Sequence, residues 1–441
     1  HTRAIREGVS IGDGSGRVGV TKQERSYDVV VIGGGPAGSS TATLLAQQGR
    51  KVLLLEKERF PRFRIGESLM PATYWTLKRL GVLEKMSASR FPRKHSVQFF
   101  LRDGSPTRPF YFSDIDPHEW SVTWQVDRGT FDELLLDHAA AQGVEVHRES
   151  PVQEVLFEEG RAIGVAADLA GKGRAEIGAK VVVDATGQSG LLSRALGLKD
   201  LDPKLKNAAV FSRFRGALRD PGRDGGATLV LHTDGKDAWF WYIPLPDDEV
   251  SVGVVGPIRY LIKGRAGDPQ RILDEEIARC PALQPRIKNS QQAEWVRVLR
   301  DFSYMSHKIA GDGWLLVGDA FGFLDPIYSS GVLLALQGAE FAADTIGEAL
   351  TAGDLSGERL GRHGPRFVEG MEAIRHLVYA FYAREFHFKN FLDRFPEHRD
   401  DLTRVLTGDV FKFDTRPLYG AMDQMLHLDG YQPLRLKGAA S

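Results

Sequence analysis

The run YDVVVIGGGPAGSSTATLLAQQGRKVLLLEKE, residues 27–58, constrains the fold more than any other part of the chain. An unbroken apolar strand leads into a glycine turn, then a helix of small and apolar residues, then a second apolar strand that ends at Glu56. This order is a β-α-β unit whose strands are buried on both faces. Gly33, Gly35 and Gly38 make the GxGxxG spacing, and Glu56 lies 18 residues past the last of them. The glycines permit a tight turn and close backbone approach, the helix N-terminus receives a pyrophosphate, and the acidic residue accepts from a ribose hydroxyl. With strand, helix and acidic residue all in place, the unit predicts a bound dinucleotide rather than a plain structural turn.

Two later segments read as returns to the same sheet: VVVDATGQSG at 181–190 and GDGWLLVGDAFGFLDP at 311–326. Residues 91–126, ahead of both, and 207–256, between them, carry aromatic and alternating stretches, as a half-exposed antiparallel sheet does. The expected architecture is α/β with an α+β second domain. A Rossmann-like dinucleotide domain (27–90, 127–206 and 300–345) receives an inserted antiparallel substrate sheet (91–126 and 207–299), and a helical region follows at 346–441. Residues 1–26, polar and glycine-rich, read as a disordered leader.

Composition narrows the chemistry. A single cysteine, Cys280, makes neither an internal disulfide nor a multi-cysteine metal site, so redox chemistry falls to a bound cofactor. Twelve histidines without HxH or HExxH spacing give no metal site. A net charge of -1 gives no global attraction to nucleic acid or an anionic membrane, and no apolar run reaches the length of a membrane span. The expected location is the cytoplasm.

The β-α-β unit, the DATG turn at 184–187 and the GDA turn at 318–320 together resemble flavoprotein monooxygenases of the para-hydroxybenzoate hydroxylase fold. Three further features resemble one branch, the flavin-dependent halogenases: WFWYIP (239–244) against a WxWxIP signature, Gly66-Glu67-Ser68 followed by RFPRKHSVQFF, and FLDPIYSSGVLLAL (323–336) against Phe-x-x-Pro-x-x-Ser-x-Gly. The resemblance implies FAD, held by Gly33, Gly35, Pro36, Ala37, Gly38, Glu56, Lys57, Arg64, Ser68, Arg128, Gly318, Asp319, Pro326, Gly331 and Val332. It implies that Lys94 is the active-site lysine, that chloride or bromide sits at Ser330 and Gly331, and that Trp239 and Trp241 keep the organic substrate off the flavin. An ammonium polarises hypohalous acid by hydrogen bonding, and a desolvated lysine moves toward a neutral amine that could itself be halogenated. Glu67 and Tyr328 are secondary candidates for moving protons.

Tryptophan halogenases carry a glutamate where this chain has Tyr328. That difference and the short C-terminal region favour the branch acting on phenols, or on pyrroles tethered to an acyl or peptidyl carrier protein. The turn Asp184-Ala185-Thr186-Gly187 departs from the Asp-Gly pair that admits NADPH in single-component hydroxylases, so reduced FAD is expected from a separate flavin reductase. Three other readings stay open: a reductase of the geranylgeranyl reductase type, which carries a related YxWxFP strand, a single-component hydroxylase, and a flavoprotein kept as a binding module. The aromatic stretch 376–395, with Tyr379, Tyr382, Phe386 and Phe391 at near-helical spacing, reads as core or as a lid over the substrate channel.

Overall fold

Val29, Val30 and Val31 are fully buried because their strand lies mid-sheet with both faces covered, Val29 and Val31 in the core shared with the helices and Val30 in a second core shared with further strands, the environment that selects an unbroken β-branched run. The computed structural model describes residues 21–235, 237–265, 267–428 and 431–437. Residues 1–20 of the expected leader lie outside them. The remainder of that leader is a correction: Thr21–Ile32 is one strand, paired in parallel with Gly173–Asp184 from Thr21 onward across a register shift between Gln23 and Ser26.

The central sheet has a parallel core in the order Trp314–Leu316, Gly173–Asp184, Thr21–Ile32, Val52–Leu55, Glu145–His147. Val152–Glu158 and Arg161–Leu169 extend it antiparallel from Gly173–Asp184. The helix Pro36–Gln47 covers one face, and its small residues Ala37, Gly38, Ser39, Ser40 and Ala42 let the long helix Ser330–Ala352 pack directly on it. That long helix crosses the boundary expected at residue 345 and stops at Gly353, whose φ of +70 ends it in the left-handed conformation.

The second sheet is mostly antiparallel, with Asn207–Arg215, Glu249–Pro257, Trp239–Pro244 and Thr228–His232 at its centre. Ser96–Phe100 joins it in parallel with Thr228–His232. Trp239, Trp241 and Ile243 face the domain junction, while Phe240 and Tyr242 pack in a separate core with Leu273 and Cys280. The indole of Trp241 is accommodated because its cross-strand partner is Gly253, where a Cβ would run into the ring. Cys280 is buried and its thiol is pushed up to about 12 by that burial, which suits a small apolar filler.

Arg93–Lys94 does not join this sheet. It pairs with Thr123–Trp124 in a two-stranded ladder that sets Lys94 opposite Thr123. The aromatic stretch of the C-terminal region is not one helix: Gly364–Tyr382 ends at Tyr382, Phe386 lies in the turn, and Phe388–Arg394 restarts. Tyr379, Phe386 and Phe391 are core residues.

Candidate active site

A cavity of about 910 Å³ opens where the two sheets meet. Its first wall is the glycine turn. Gly33 has φ +105, and a Cβ there would strike the Ala185 carbonyl, so the turn and the DATG segment fit only through glycine. A Cβ on Gly38 would strike the Gly33 carbonyl, so Gly38 serves helix-to-turn packing behind the wall. Gly35, by contrast, faces open space, with Arg62 Nη2 the nearest group to a Cβ at 3.6 Å. The helix beginning at Pro36 has no side-chain cap, so its first-turn amides are available to an anion.

Glu56 has a duty beyond the ribose contact its position predicts. Its Oε2 accepts from the Gly34 amide at 2.6 Å and its Oε1 from the Glu58 amide at 2.8 Å, which fixes the glycine turn to the second strand. Arg128 is held by Asp132, four residues on along the same helix, through bonds from Nε at 2.7 Å and Nη2 at 2.9 Å. Its Nη1 donates to the Ile65 carbonyl at 2.5 Å. The same Asp132 accepts from Arg62 Nη1 at 2.7 Å, so one buried carboxylate orders two guanidiniums on the cavity wall. Asp132 and Arg62 were not singled out from sequence, although Arg128 and Asp132 stand at the spacing of a helical ion pair.

The expected cofactor residues Gly33, Gly35, Pro36, Ala37, Glu56, Lys57, Arg64, Ser68, Arg128, Asp319, Pro326, Gly331 and Val332 line the cavity. Gly38 and Gly318 stand behind it, and a Cβ on Gly318 would approach the Ala37 Cβ to 2.8 Å. Burial pushes the Asp319 carboxyl up to about 6 against the pull of Arg128. Thr186, Gln188, Phe63, Phe211 and Thr228 also line the cavity without having been anticipated.

The halide segment is only partly on the wall. Ser329, at φ +59, and Gly331 line the cavity, whereas the Ser330 side chain is buried and lies off it. Ser329 occupies the cap position of the long helix and makes no side-chain cap bond. Tyr328 turns away altogether, donating to the Leu377 carbonyl at 3.1 Å, while Glu67 lines the cavity and accepts from Arg213 Nη2 at 2.8 Å.

Lys94 is buried just behind the wall. Its Nζ donates to Ser68 Oγ at 2.8 Å and to the Leu69 carbonyl at 2.9 Å, with the Phe112 ring centroid 5.5 Å away. Burial without a carboxylate partner pulls its pKa down to about 7. Trp239 and Trp241 line the cavity with ring centroids 6.4 Å apart, and Trp241 Nε1 donates to Ser251 Oγ at 3.1 Å. Uncapped backbone amides at one end, the cations Lys57, Arg62 and Arg64 near them and an aromatic wall beyond make a donor set suited to the pyrophosphate, ribityl and ring portions of FAD.

Residues 26–360 match the family model described as FAD binding domain. The chain is 33% identical over 411 residues to 1H-pyrrole-2-carbonyl-[peptidyl-carrier protein] chlorinase of Pseudomonas fluorescens, covering 88% of this chain and 90% of that one. It is also 33% identical to the corresponding brominase of Pseudoalteromonas luteoviolacea, covering 88% and 93%. The solved flavin-dependent brominase Bmp2 superposes with a TM-score of 0.80 at 29% identity, over 90% of this chain and 98% of that one. The myxobacterial chondrochloren halogenase CndH does so at 0.77 and 30%, over 91% and 97%. The chain belongs to the flavin-dependent halogenases. Membership decides among the readings the sequence left open, setting aside the reductase, the single-component hydroxylase and the binding module. The halogenase is an FAD enzyme, and its WFWYIP strand and its Gly66-Glu67-Ser68 turn, with Lys94 bonded behind Ser68, meet at one cavity. Among the described residues no helix of the halogenase is long and apolar enough to cross a membrane, and no His, Cys, Asp and Glu group could hold a metal.

Proposed function

We propose that this halogenase converts chloride or bromide to hypohalous acid and delivers it to an electron-rich aromatic ring, with Lys94 as the catalytic residue and a pyrrole carried on a peptidyl carrier protein as the favoured substrate class. One observation carries the reading: a buried lysine with no carboxylate partner among the described residues, whose side-chain nitrogen bonds the hydroxyl of the cavity-lining Ser68. Burying a charge uncompensated is costly, and groups held at such a cost cluster at functional sites. The carrier-bound pyrrole is supported by the two relatives that act on such substrates, and by Tyr328, which stands where tryptophan halogenases carry a glutamate.

FAD, delivered reduced by a separate flavin reductase, supplies two electrons with which dioxygen, taking two more from the halide, becomes hypohalous acid and water. Around it, Gly35, Pro36 and Ala37 bind the pyrophosphate, and Lys57, Arg64 and Arg128 meet its charge and polar edges. The backbone amides of Ser330 and Gly331 hold the halide at the start of the long helix. Trp239 and Trp241 keep the ring substrate away from the cofactor, which prevents direct hydroxylation. At the substrate a carbon–halogen bond forms, the oxygen–halogen bond breaks, and the ring proton leaves with the hydroxide as water. Lys94 assists from behind the wall, polarising the Ser68 hydroxyl it donates to and so favouring departure of that oxygen.

The test uses the halogenase with a flavin reductase, NADH, FAD and bromide, and pyrrole-2-carbonyl-loaded peptidyl carrier protein beside free pyrrole-2-carboxylate and free phenol. Mass spectrometry should find bromine on the carrier-bound ring. Bromination of the free arenes alone would reject the carrier assignment. Normal bromination by Lys94→Ala would reject the lysine.

A further inference from the structure

Lys94 does not reach the cavity surface itself; what lies between is a pair of hydroxyls. Ser68 Oγ is 2.8 Å from Lys94 Nζ and 2.8 Å from Thr228 Oγ1, and Ser68 and Thr228 both line the cavity. Thr228 Oγ1 also accepts from Gln125 Nε2 at 2.9 Å. The orientation of that amide is fixed, because its other hydrogen goes to the Gly226 carbonyl at 2.9 Å and a flipped amide would set two acceptors together.

Each hydroxyl therefore accepts one hydrogen from behind, Ser68 from Lys94 and Thr228 from Gln125. Each owns one hydrogen. A single hydrogen makes the bond between the two oxygens, whichever of them donates. The second hydrogen is left over, and among the described residues no protein acceptor is bonded to it. With both residues on the wall and no protein acceptor taken, the leftover O–H is open to a group in the cavity, and Lys94 behind Ser68 makes the pair a better donor by polarising it.

Resting on the halogenase reading above, we propose that the Ser68–Thr228 hydroxyl pair donates this hydrogen to the oxygen of hypohalous acid and holds the oxidant at the wall, so that Thr228 is an oxidant-positioning residue. No bond is made or broken at the pair. Removing the Thr228 hydroxyl takes away either the leftover donor or the acceptor that orients it.

The experiment is a stopped-flow reaction of the halogenase carrying reduced FAD with oxygenated buffer containing bromide and monochlorodimedone, a trap for hypohalous acid that has left the protein. Flavin oxidation and trap bromination are followed separately. The wild type should show trap bromination lagging flavin oxidation. Thr228→Val, nearly the same shape, should shorten that lag at least five-fold with flavin oxidation unchanged, and Thr228→Ser should restore it. A lag in Thr228→Val equal to the wild type's overturns the proposal, as does a wild type with no lag. No trap bromination by the wild type defeats the halogenase reading itself, a result distinct from either. FAD binding and far-ultraviolet circular dichroism equal to the wild type's show that the valine variant is folded.

Discussion

The indole Nε1 of Trp239 donates to the Tyr382 hydroxyl at 2.9 Å, and that hydroxyl stands 3.1 Å from Asp325 Oδ2. The helix Gly364–Tyr382 thus grips the tryptophan of the WFWYIP strand and Asp325 of the halide segment through one atom. Asp325 also accepts from Asn207 Nδ2 at 3.2 Å and the Ile327 amide at 3.0 Å, so Tyr382 completes a buried set. Tyr382→Phe strands the indole N–H and one carboxylate contact, and a buried donor left unpaired costs about 1–3 kcal/mol. Urea unfolding should show a loss of that size. A freed Trp239 would also guard the flavin less well, so hydrogen peroxide per flavin oxidised should rise. An unchanged midpoint and unchanged peroxide yield would show that the helix only covers the strand.

The pH behaviour of Lys94 follows from its burial. Its folded pKa is pulled from 10.5 down to about 7, so between those values the unfolded chain binds more protons than the native one. Stability attributable to this group therefore rises as pH increases from about 7 toward 10.5, and below about 7 the full cost of burying the ammonium is present. The unfolding free energy of Lys94→Met minus that of the wild type should be largest at pH 6 and shrink toward pH 10. A difference that is flat with pH would mean that the amine is not desolvated in solution. Halogenation by Lys94→Met should fall by about 100-fold or more, the usual scale of a lost proton donor, while flavin oxidation persists.

Sequence patterns reach these sites unevenly. The glycine turn was legible because backbone clearance leaves no choice: Gly33 and Gly38 sit where any Cβ would meet a carbonyl. Trp239 and Trp241 were legible because strand alternation puts both on one face. The halide segment was legible as a helix start, but not which serine fronts the cavity, since that depends on the left-handed conformation of Ser329. Arg62, Gln125 and Thr228 carried no local motif, and Asp132 only its helical spacing from Arg128. Thr228 lies 160 residues from Ser68, and only the pairing of two distant segments brings their hydroxyls together. The stripe at 376–395 kept its helical spacing in sequence, yet the chain breaks after Tyr382, where Ala383 adopts an extended conformation.

Gly33 and Gly35 should separate folding from cofactor binding. Gly33→Ala places a methyl against the Ala185 carbonyl at a positive φ, a conformation that costs a non-glycine residue about 1–3 kcal/mol before any clash. It should lower both thermal stability and FAD affinity. Gly35→Ala meets nothing closer than 3.6 Å in the protein, so its melting temperature without FAD should match the wild type's. Its methyl instead enters the space at the helix N-terminus, and FAD affinity should drop at least ten-fold. Flavin titration followed by fluorescence, beside thermal melts of the apoprotein, distinguishes the two. Equal FAD affinity in Gly35→Ala and the wild type would move the pyrophosphate away from this turn.

Asp132 offers the sharpest test of how the cationic wall is held. Its two oxygens, fully buried, accept from Arg62 and from both Nε and Nη2 of Arg128. Removing one member of a buried ion set leaves the others uncompensated, at about 3–5 kcal/mol. Asp132→Asn keeps the shape but loses the charge, and one amide hydrogen would point at a guanidinium. The expected result is a large drop in unfolding free energy and weaker FAD binding, because Arg62 and Arg128 lose their aim into the cavity. Asp132→Glu keeps the charge one methylene longer and should recover part of the FAD affinity. If Asp132→Asn binds FAD as well as the wild type despite the stability loss, the two arginines support the fold and not the cofactor.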